Sequence, residues 1–178
     1  MYAIIGAGPM GLAAARQLQR YGIPFVGFEL HADVGGLWDI HNPHSTLYES
    51  AHLISSRGMT QFDEFPMADT VAPYPHHSHI GQYFRDYAQH FDLHRHYRFA
   101  TRVLRIERQP HGWRLLSECA GEQHEWHFDG ILIANGTLHT PNQPALPGTF
   151  AGELLHSSAY KNAQLFAGKR VLVVGRAG

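Results

Sequence analysis

The stretch Tyr2-Ala3-Ile4-Ile5-Gly6-Ala7-Gly8-Pro9-Met10-Gly11, carried on to Phe25-Val26-Gly27-Phe28-Glu29, decides the reading of this chain. Tyr2–Ile5 is a short apolar run that ends at Gly6, the pattern of a buried strand. Pro9 through Tyr21 predicts a helix, with proline in the first turn, small residues at Ala13–Ala15 and Gly22 as the stop. Phe25–Phe28 predicts a second strand, which delivers the acid Glu29 about twenty residues beyond the glycines. Each glycine has a separate physical task. Gly6 permits the tight turn, Gly8 lets the backbone approach a pyrophosphate with no Cβ in the way, and Gly11 lets the helix pack closely on the sheet. The helix N-terminus adds free N–H groups and a partial positive charge for the diphosphate. Glu29 is placed to accept hydrogen bonds from ribose hydroxyls and would repel a 2′-phosphate, which argues against NADP at this site. A glycine-rich turn without a ligand would explain the loop but not the ordered strand–loop–helix–strand–acid unit.

Outward from this unit, residues 31–77 read as loop, punctuated by Gly35, Gly36, Pro43, Pro66, Pro73 and Pro75. Ser78 is placed to cap a helix whose apolar stripe is Ile80, Tyr83, Phe84, Tyr87, Ala88 and Phe91, a core-facing pattern. Strand-like runs at 102–108, 113–118 and 124–129 are split by Pro110-His111-Gly112 and Ala120-Gly121, which predicts an antiparallel meander. Ile131–Ala134 is fully apolar, as expected of a strand buried on both faces of a parallel sheet. Residues 140–150 form a Pro/Gly loop, and Arg170–Val174 reads as one more buried strand. The expected fold class is α/β, a Rossmann-like parallel sheet with an inserted antiparallel β-meander.

The 178 residues suit one ordinary domain with enough apolar content, 44%, for a real core. A formal net charge of −1 gives no basic field for nucleic acid or an anionic membrane surface. Cys119 is the single cysteine, which excludes an intramolecular disulfide or a CxxC redox pair. With no adjacent base it reads as inert. No uncharged apolar run approaches the roughly 18 residues of a membrane span. The run Ala3–Ala15 lacks the basic start of a signal peptide, and a cytoplasmic location is the expectation. Of the 15 histidines, His76-His77-x-His79, His94 and His96 are the densest group. They lie in and beside a proline-broken loop, read as solvated surface residues, and no metal site is assigned.

Further segments carry a resemblance. Ala32-Asp33-Val34-Gly35-Gly36-Leu37-Trp38 directly follows the acid and resembles the Gly-Gly-x-Trp segment of flavin-containing monooxygenases. Phe150-x-Gly152-x3-His156-x3-Tyr160 resembles that family's FxGxxxHxxx(Y/F) signature, in which Baeyer–Villiger relatives carry tryptophan at the last position. Ile131–Gly136, with Ala134-Asn135-Gly136, resembles the second dinucleotide-linked strand motif, and Phe62-x-x-Phe65-Pro66 the Asp-Phe-Pro loop. The resemblance runs in order over nearly the whole chain and implies FAD, NADPH and transfer of oxygen to a soft nitrogen or sulfur nucleophile. The organic chemistry belongs to the cofactor, and no side chain stands out as an acid–base catalyst. The cofactor-binding positions it implies are Gly6, Ala7, Gly8, Pro9, Met10, Gly11, Glu29, Leu30, Gly36, Leu37, Trp38, Val103, Ala134 and Gly136. Residues 1–149 then form the N-terminal part of an FAD-binding domain. Residues 150–178 hold the linker signature and the first strand of a second, NADPH-binding Rossmann unit that the chain leaves truncated.

The sequence departs from the family pattern at three places. Gly175-Arg176-Ala177-Gly178 has alanine where a second GxG fingerprint needs glycine. Ile54 aligns, by way of Tyr48 and Phe62–Pro66, with an asparagine of oxygenating members, and an apolar side chain cannot hydrogen-bond oxygen held at the flavin. Asn135 replaces the usual threonine, and both can hydrogen-bond locally. Two alternatives to the monooxygenase follow: an FAD-binding module without turnover, or an NADPH–flavin oxidoreductase or oxidase that reduces oxygen without transferring it. The expected partner is a small-molecule substrate, with no nucleic acid or membrane. Self-association, or a separate partner carrying the missing domain, is the further expectation.

Overall fold

Tyr2–Ile5 forms strand β1, Pro9–Arg20 helix α1 and Phe25–Phe28 strand β2 in the computed structural model, which describes residues 1–145 and 147–175. The helix closes one residue earlier than the sequence suggests. Tyr21 caps it by donating its N–H to Gln17 O at 3.1 Å, and Gly22 takes φ +64°, which turns the chain toward β2. A one-turn helix α2 (Arg57–Thr60) interrupts the long loop, and α3 spans His77–His90. After α3 come β3 (Tyr97–Arg98), β4 (Arg102–Gln109), β5 (Gly112–Cys119), β6 (Glu122–Phe128) and β7 (Gly130–Ile133).

The strands make two sheets. One is parallel, in the order β3-β2-β1-β7, and the other is the antiparallel meander β4-β5-β6. Successive side chains of a strand point to opposite faces, and β1 uses both. Ile4, together with Phe25 of β2, packs with Leu12 and Ala15 of α1 and with Ile80, Phe84, Tyr87 and Ala88 of α3. Ala3, together with Phe28 of β2, meets Leu115 and Phe128 of the meander. The result is three layers, helices on parallel sheet on antiparallel sheet, with a core on each side of β1 and β2. The stripe read for α3 is the one that packs, and Phe62 and Phe65 of the long loop cover it. Tyr83 ties that loop down, since its hydroxyl accepts from Phe62 N at 2.7 Å and donates to Phe65 O at 2.8 Å.

Three sequence expectations are corrected. His76, not Ser78, is the N-cap of α3: its Nδ1 accepts from Ser78 N at 3.3 Å. β7 is the edge of the parallel sheet instead of a strand buried on both faces, so Ile133 is 63% exposed. Arg170–Val174 forms no strand, and Val171, Leu172, Val173 and Val174 are all exposed, because no strand among the described residues runs alongside to pair with them. The first strand of a second Rossmann unit is therefore not formed, and Arg176, Ala177 and Gly178 of its fingerprint lie outside the described residues. The two-residue strand β3 went unread, being too short to show any period.

Candidate functional site

Gly6 leaves β1 with φ +104°, a backbone conformation open to glycine, and a Cβ there would run into the Ala134 carbonyl. β7 pairs beside β1 and brings Ala134 to this position, with Ala134 N donating to Ile5 O at 2.8 Å. Gly11, in the first turn of α1, packs against Gly6, and a Cβ on it would strike Gly6 O. Gly8 differs from both. It is the N-cap of α1 at φ −74°, where any residue is allowed, and an added Cβ would meet only Gly36 Cα at 3.7 Å. The space in front of Gly8 is thus left clear although the local fold does not require it.

Leu12 N, bonded to Gly8 O at 2.9 Å, makes the first turn of α1, and the amides of Met10 and Gly11 before it have no intrahelical acceptor. Pro9 takes the position that needs no donor, and Met10 is 72% exposed at the mouth of the loop. Glu29 is buried, at 5% exposure. Its Oε2 accepts from Ala7 N at 2.6 Å and its Oε1 from His31 N at 2.9 Å, so the acid at the end of β2 clamps the loop after β1. An ionised carboxylate offers about four lone-pair sites, which leaves acceptor capacity for hydroxyls at the cleft. Tyr97 of β3 lies beneath the loop, and its ring occupies the space that a side chain at Gly27 would need. Burial first, and then the nearby Glu29 charge, pushes its hydroxyl above the ordinary phenol range.

The Gly-Gly-x-Trp turn lies across this loop. Gly35 N donates to Ala7 O at 3.0 Å, and Gly36, at φ +55°, is so close that a Cβ on it would stand 3.0 Å from Gly8 Cα. Leu37 and Trp38 follow in a single 3-10 turn, Gly36–Trp38. Two features of α3 hold the turn in place, and sequence reading missed both. Arg85 bridges Asp33 Oδ2 at 2.9 Å and Asp39 Oδ1 at 3.1 Å, spanning the turn like a staple. Gly81 admits the Trp38 carbonyl, since a Cβ there would be 2.7 Å from it. Burial works to raise the Asp33 pKa, but the Val34 N–H, Arg85 and His94 outweigh it and hold the carboxyl below the usual range. A glycine inside an amphipathic helix costs about 1 kcal/mol and was the one available signal of a close approach.

The remaining positions are spread more widely. Leu30 follows Glu29 and is half-buried. Val103 sits on β4 beside an irregularity in its pairing with β5 and packs into the second core, against the group of Ala3, Phe28, Leu115 and Phe128. Gly136, at φ +79°, turns the chain just past β7. Ile54 is completely exposed. The histidines divide. His77 is buried with its pKa lowered, by burial first and then by His76, whereas His79 is exposed, so His77 is not the solvated surface residue expected. Among the described residues no three His, Cys, Asp or Glu side chains are grouped to hold a metal.

These observations give the loop the character of a dinucleotide site: a bare helix N-terminus, a glycine with open space where its side chain would be, and a buried acid at the end of the second strand. The test of whether FAD suits it is Gly8, whose open side is the cradle a Cβ would fill, and the site passes it. This is the architecture of a nucleotide-binding α/β protein. The chain matches the Flavin-binding monooxygenase-like family over residues 1–178 and belongs to it. It is 36% identical over 187 residues to flavin-containing monooxygenase 5 of Mus musculus, covering 97% of this chain and 35% of that protein. It is 39% identical to the human putative dimethylaniline monooxygenase [N-oxide-forming] 6, covering 97% of this chain and 34% of that one. Among solved structures, the S-allyl-L-cysteine S-oxygenase of Allium sativum superimposes with a TM-score of 0.85 at 27% identity, over 93% of this chain and 43% of that one. The chain therefore spans about a third of the length of the curated relatives it matches.

Proposed function

We propose that this chain is the FAD-binding portion of an NADPH-dependent flavin monooxygenase that oxidises soft nitrogen or sulfur nucleophiles. The observation that carries the reading is Gly8, a helix N-cap kept free of a side chain by nothing in the local fold, with the Met10 and Gly11 amides beside it. A diphosphate in that space receives the helix N-terminus and its partial charge. Glu29 holds the loop open for it and offers its remaining lone pairs to ribose hydroxyls, while its charge disfavours a 2′-phosphate. The Gly36–Trp38 turn closes over the cleft on the side that the resemblance assigns to the flavin. FAD, when bound, supplies the redox chemistry; the residues described here bind and orient it and exclude water along Gly8 and Gly36. The substrate class has support in the relatives' names, one an N-oxide-forming enzyme and one an S-oxygenase.

The test is direct. Purified chain should carry or take up FAD, read as flavin absorbance and as a raised melting temperature at saturating ligand. No uptake and no stabilisation would sink the proposal. One observation favours a second reading, an oxidase that passes electrons to oxygen without transferring it. Ile54, apolar and fully exposed, stands where the resemblance puts a hydrogen-bonding asparagine. Peroxide release without oxygenated amine or sulfide would support the oxidase.

A further inference from the structure

We infer that Lys161 is a positioning residue: it holds the Gly36–Trp38 turn over the cofactor cleft through Ser45, and so ties the turn to the segment carrying the His156–Tyr160 signature. The inference rests on the reading of the cleft as an FAD site. Lys161 lies one residue beyond the signature and more than a hundred residues from the turn in sequence. Its Nζ donates to Ser45 O at 2.6 Å and Leu47 O at 3.1 Å. Among the described residues no carboxylate lies within ion-pair distance of it. A half-buried ammonium is therefore spent on two backbone carbonyls, and charge-assisted bonds of this type are the strong ones.

The carbonyls it holds belong to a buried polar relay. Ser45, 4% exposed, donates through Oγ to Leu37 O at 2.6 Å and accepts from Leu47 N at 3.2 Å. Asn42, likewise buried, donates its N–H to Asp39 O at 3.1 Å and its Nδ2 to Gly36 O at 3.2 Å. Gly36 in turn packs on Gly8. The path from Lys161 thus runs without a gap through Ser45 to Leu37 and Gly36 at the cleft. The docking has further members: Glu49 N donates to Lys161 O at 2.8 Å, Asn162 Nδ2 donates to Glu49 Oε1 at 3.3 Å, and the Tyr48 and Tyr160 rings lie 5.3 Å apart. These fix the segment on the loop, whereas the Lys161 side chain bonds the Ser45 and Leu47 carbonyls, the first of which belongs to the residue that holds Leu37.

The experiment uses the 178-residue chain with Lys161→Met, Lys161→Arg and Ser45→Ala, and Lys169→Met as a surface control whose Nζ, among the described residues, pairs only with Glu153. Three quantities are read: hydrogen exchange over residues 36–47, FAD affinity, and the visible spectrum of the bound flavin. Lys161→Met should speed exchange of the 36–47 amides about tenfold while α1 keeps its protection, the pattern of a local opening. It should weaken FAD binding about tenfold, the loss expected for one charge-assisted bond, and shift the bound flavin's spectrum. Lys161→Arg, which keeps donor and charge, should largely restore all three. Ser45→Ala should act like Lys161→Met, and the double variant should lose less than the product of the two, because the two residues lie on one path. Unchanged exchange and spectrum in Lys161→Met would overturn the inference. Should that variant fail to fold, unchanged exchange in Ser45→Ala overturns it instead. A parent chain that takes up no FAD overturns the reading of the cleft, and the exchange comparison still judges Lys161.

Discussion

At the scale of single residues, the three fingerprint glycines are required for different reasons, and substitution should separate them. A Cβ on Gly11 would strike Gly6 O, backbone against backbone, so Gly11→Ala should destabilise the fold by about 1–3 kcal/mol, the range of overpacking. Gly8 has an ordinary φ and only Gly36 Cα at 3.7 Å from its missing side chain. Gly8→Ala should therefore melt within about 0.5 kcal/mol of the parent, as a neutral substitution does, yet bind FAD at least tenfold more weakly. Thermal melts and FAD titrations of the two variants decide it, and a Gly8→Ala chain that binds normally would show that nothing occupies that space. Glu29 is a third case. Its carboxylate accepts two backbone N–H groups in a buried place, and Glu29→Ala would strand the Ala7 donor, at a cost of about 1–3 kcal/mol. Denaturant unfolding measures that loss. The identity of these residues was legible in the sequence, because fingerprint spacing follows from helix and strand geometry. Their division of labour was not, because it depends on which atoms face each missing Cβ.

At the scale of elements, α3 does more than its apolar stripe announced. The stripe named its buried face, but Arg85 and Gly81, which hold the Gly36–Trp38 turn, lie off that stripe and give no periodic signal. Its start is also chemically distinctive. His77, the first residue of the helix, is buried, and its imidazole pKa is lowered by burial and then by His76. The positive end of the helix dipole disfavours charge there too. Burial likewise lowers His31 and His96. A histidine whose folded pKa lies below its unfolded value binds fewer protons when folded. Its contribution is then complete above about pH 6.5 and is lost as the pH falls toward the folded value. Melting temperature should therefore decline as the pH falls below about 6.5, and His77→Gln should flatten part of that decline. A pH-independent melt between about pH 7 and pH 5 in the parent would contradict the burial of these imidazoles. The short strand β3 escaped sequence reading for the opposite reason: two residues carry no period, and their strand character comes entirely from pairing with β2.

At the scale of the whole molecule, the three layers leave the aliphatic run 171–174 uncovered. The sequence of Arg170–Val174 reads as a buried strand because four aliphatic residues in a row favour burial, but a strand needs a neighbour to take its backbone hydrogen bonds. No such neighbour exists among the described residues, and Leu172 and Val173 are each 86% exposed. β7 is the edge of the parallel sheet, pairing with β1 on one side, and its Ile133 is also exposed. Periodicity records what a segment's side chains favour, not whether a partner is there to meet them. An exposed aliphatic, uncharged run and an open sheet edge each favour pairing with another chain. The chain should accordingly self-associate, with a sedimentation-average mass that rises above 20.0 kDa as concentration increases. Leu172→Lys with Val173→Lys should return it toward the monomer, since edge lysines block such pairing, and should leave FAD binding unchanged because these residues lie outside the cleft. A 20.0 kDa species across the whole concentration range would mean that the aliphatic run tolerates water, and that burial alone misjudged it.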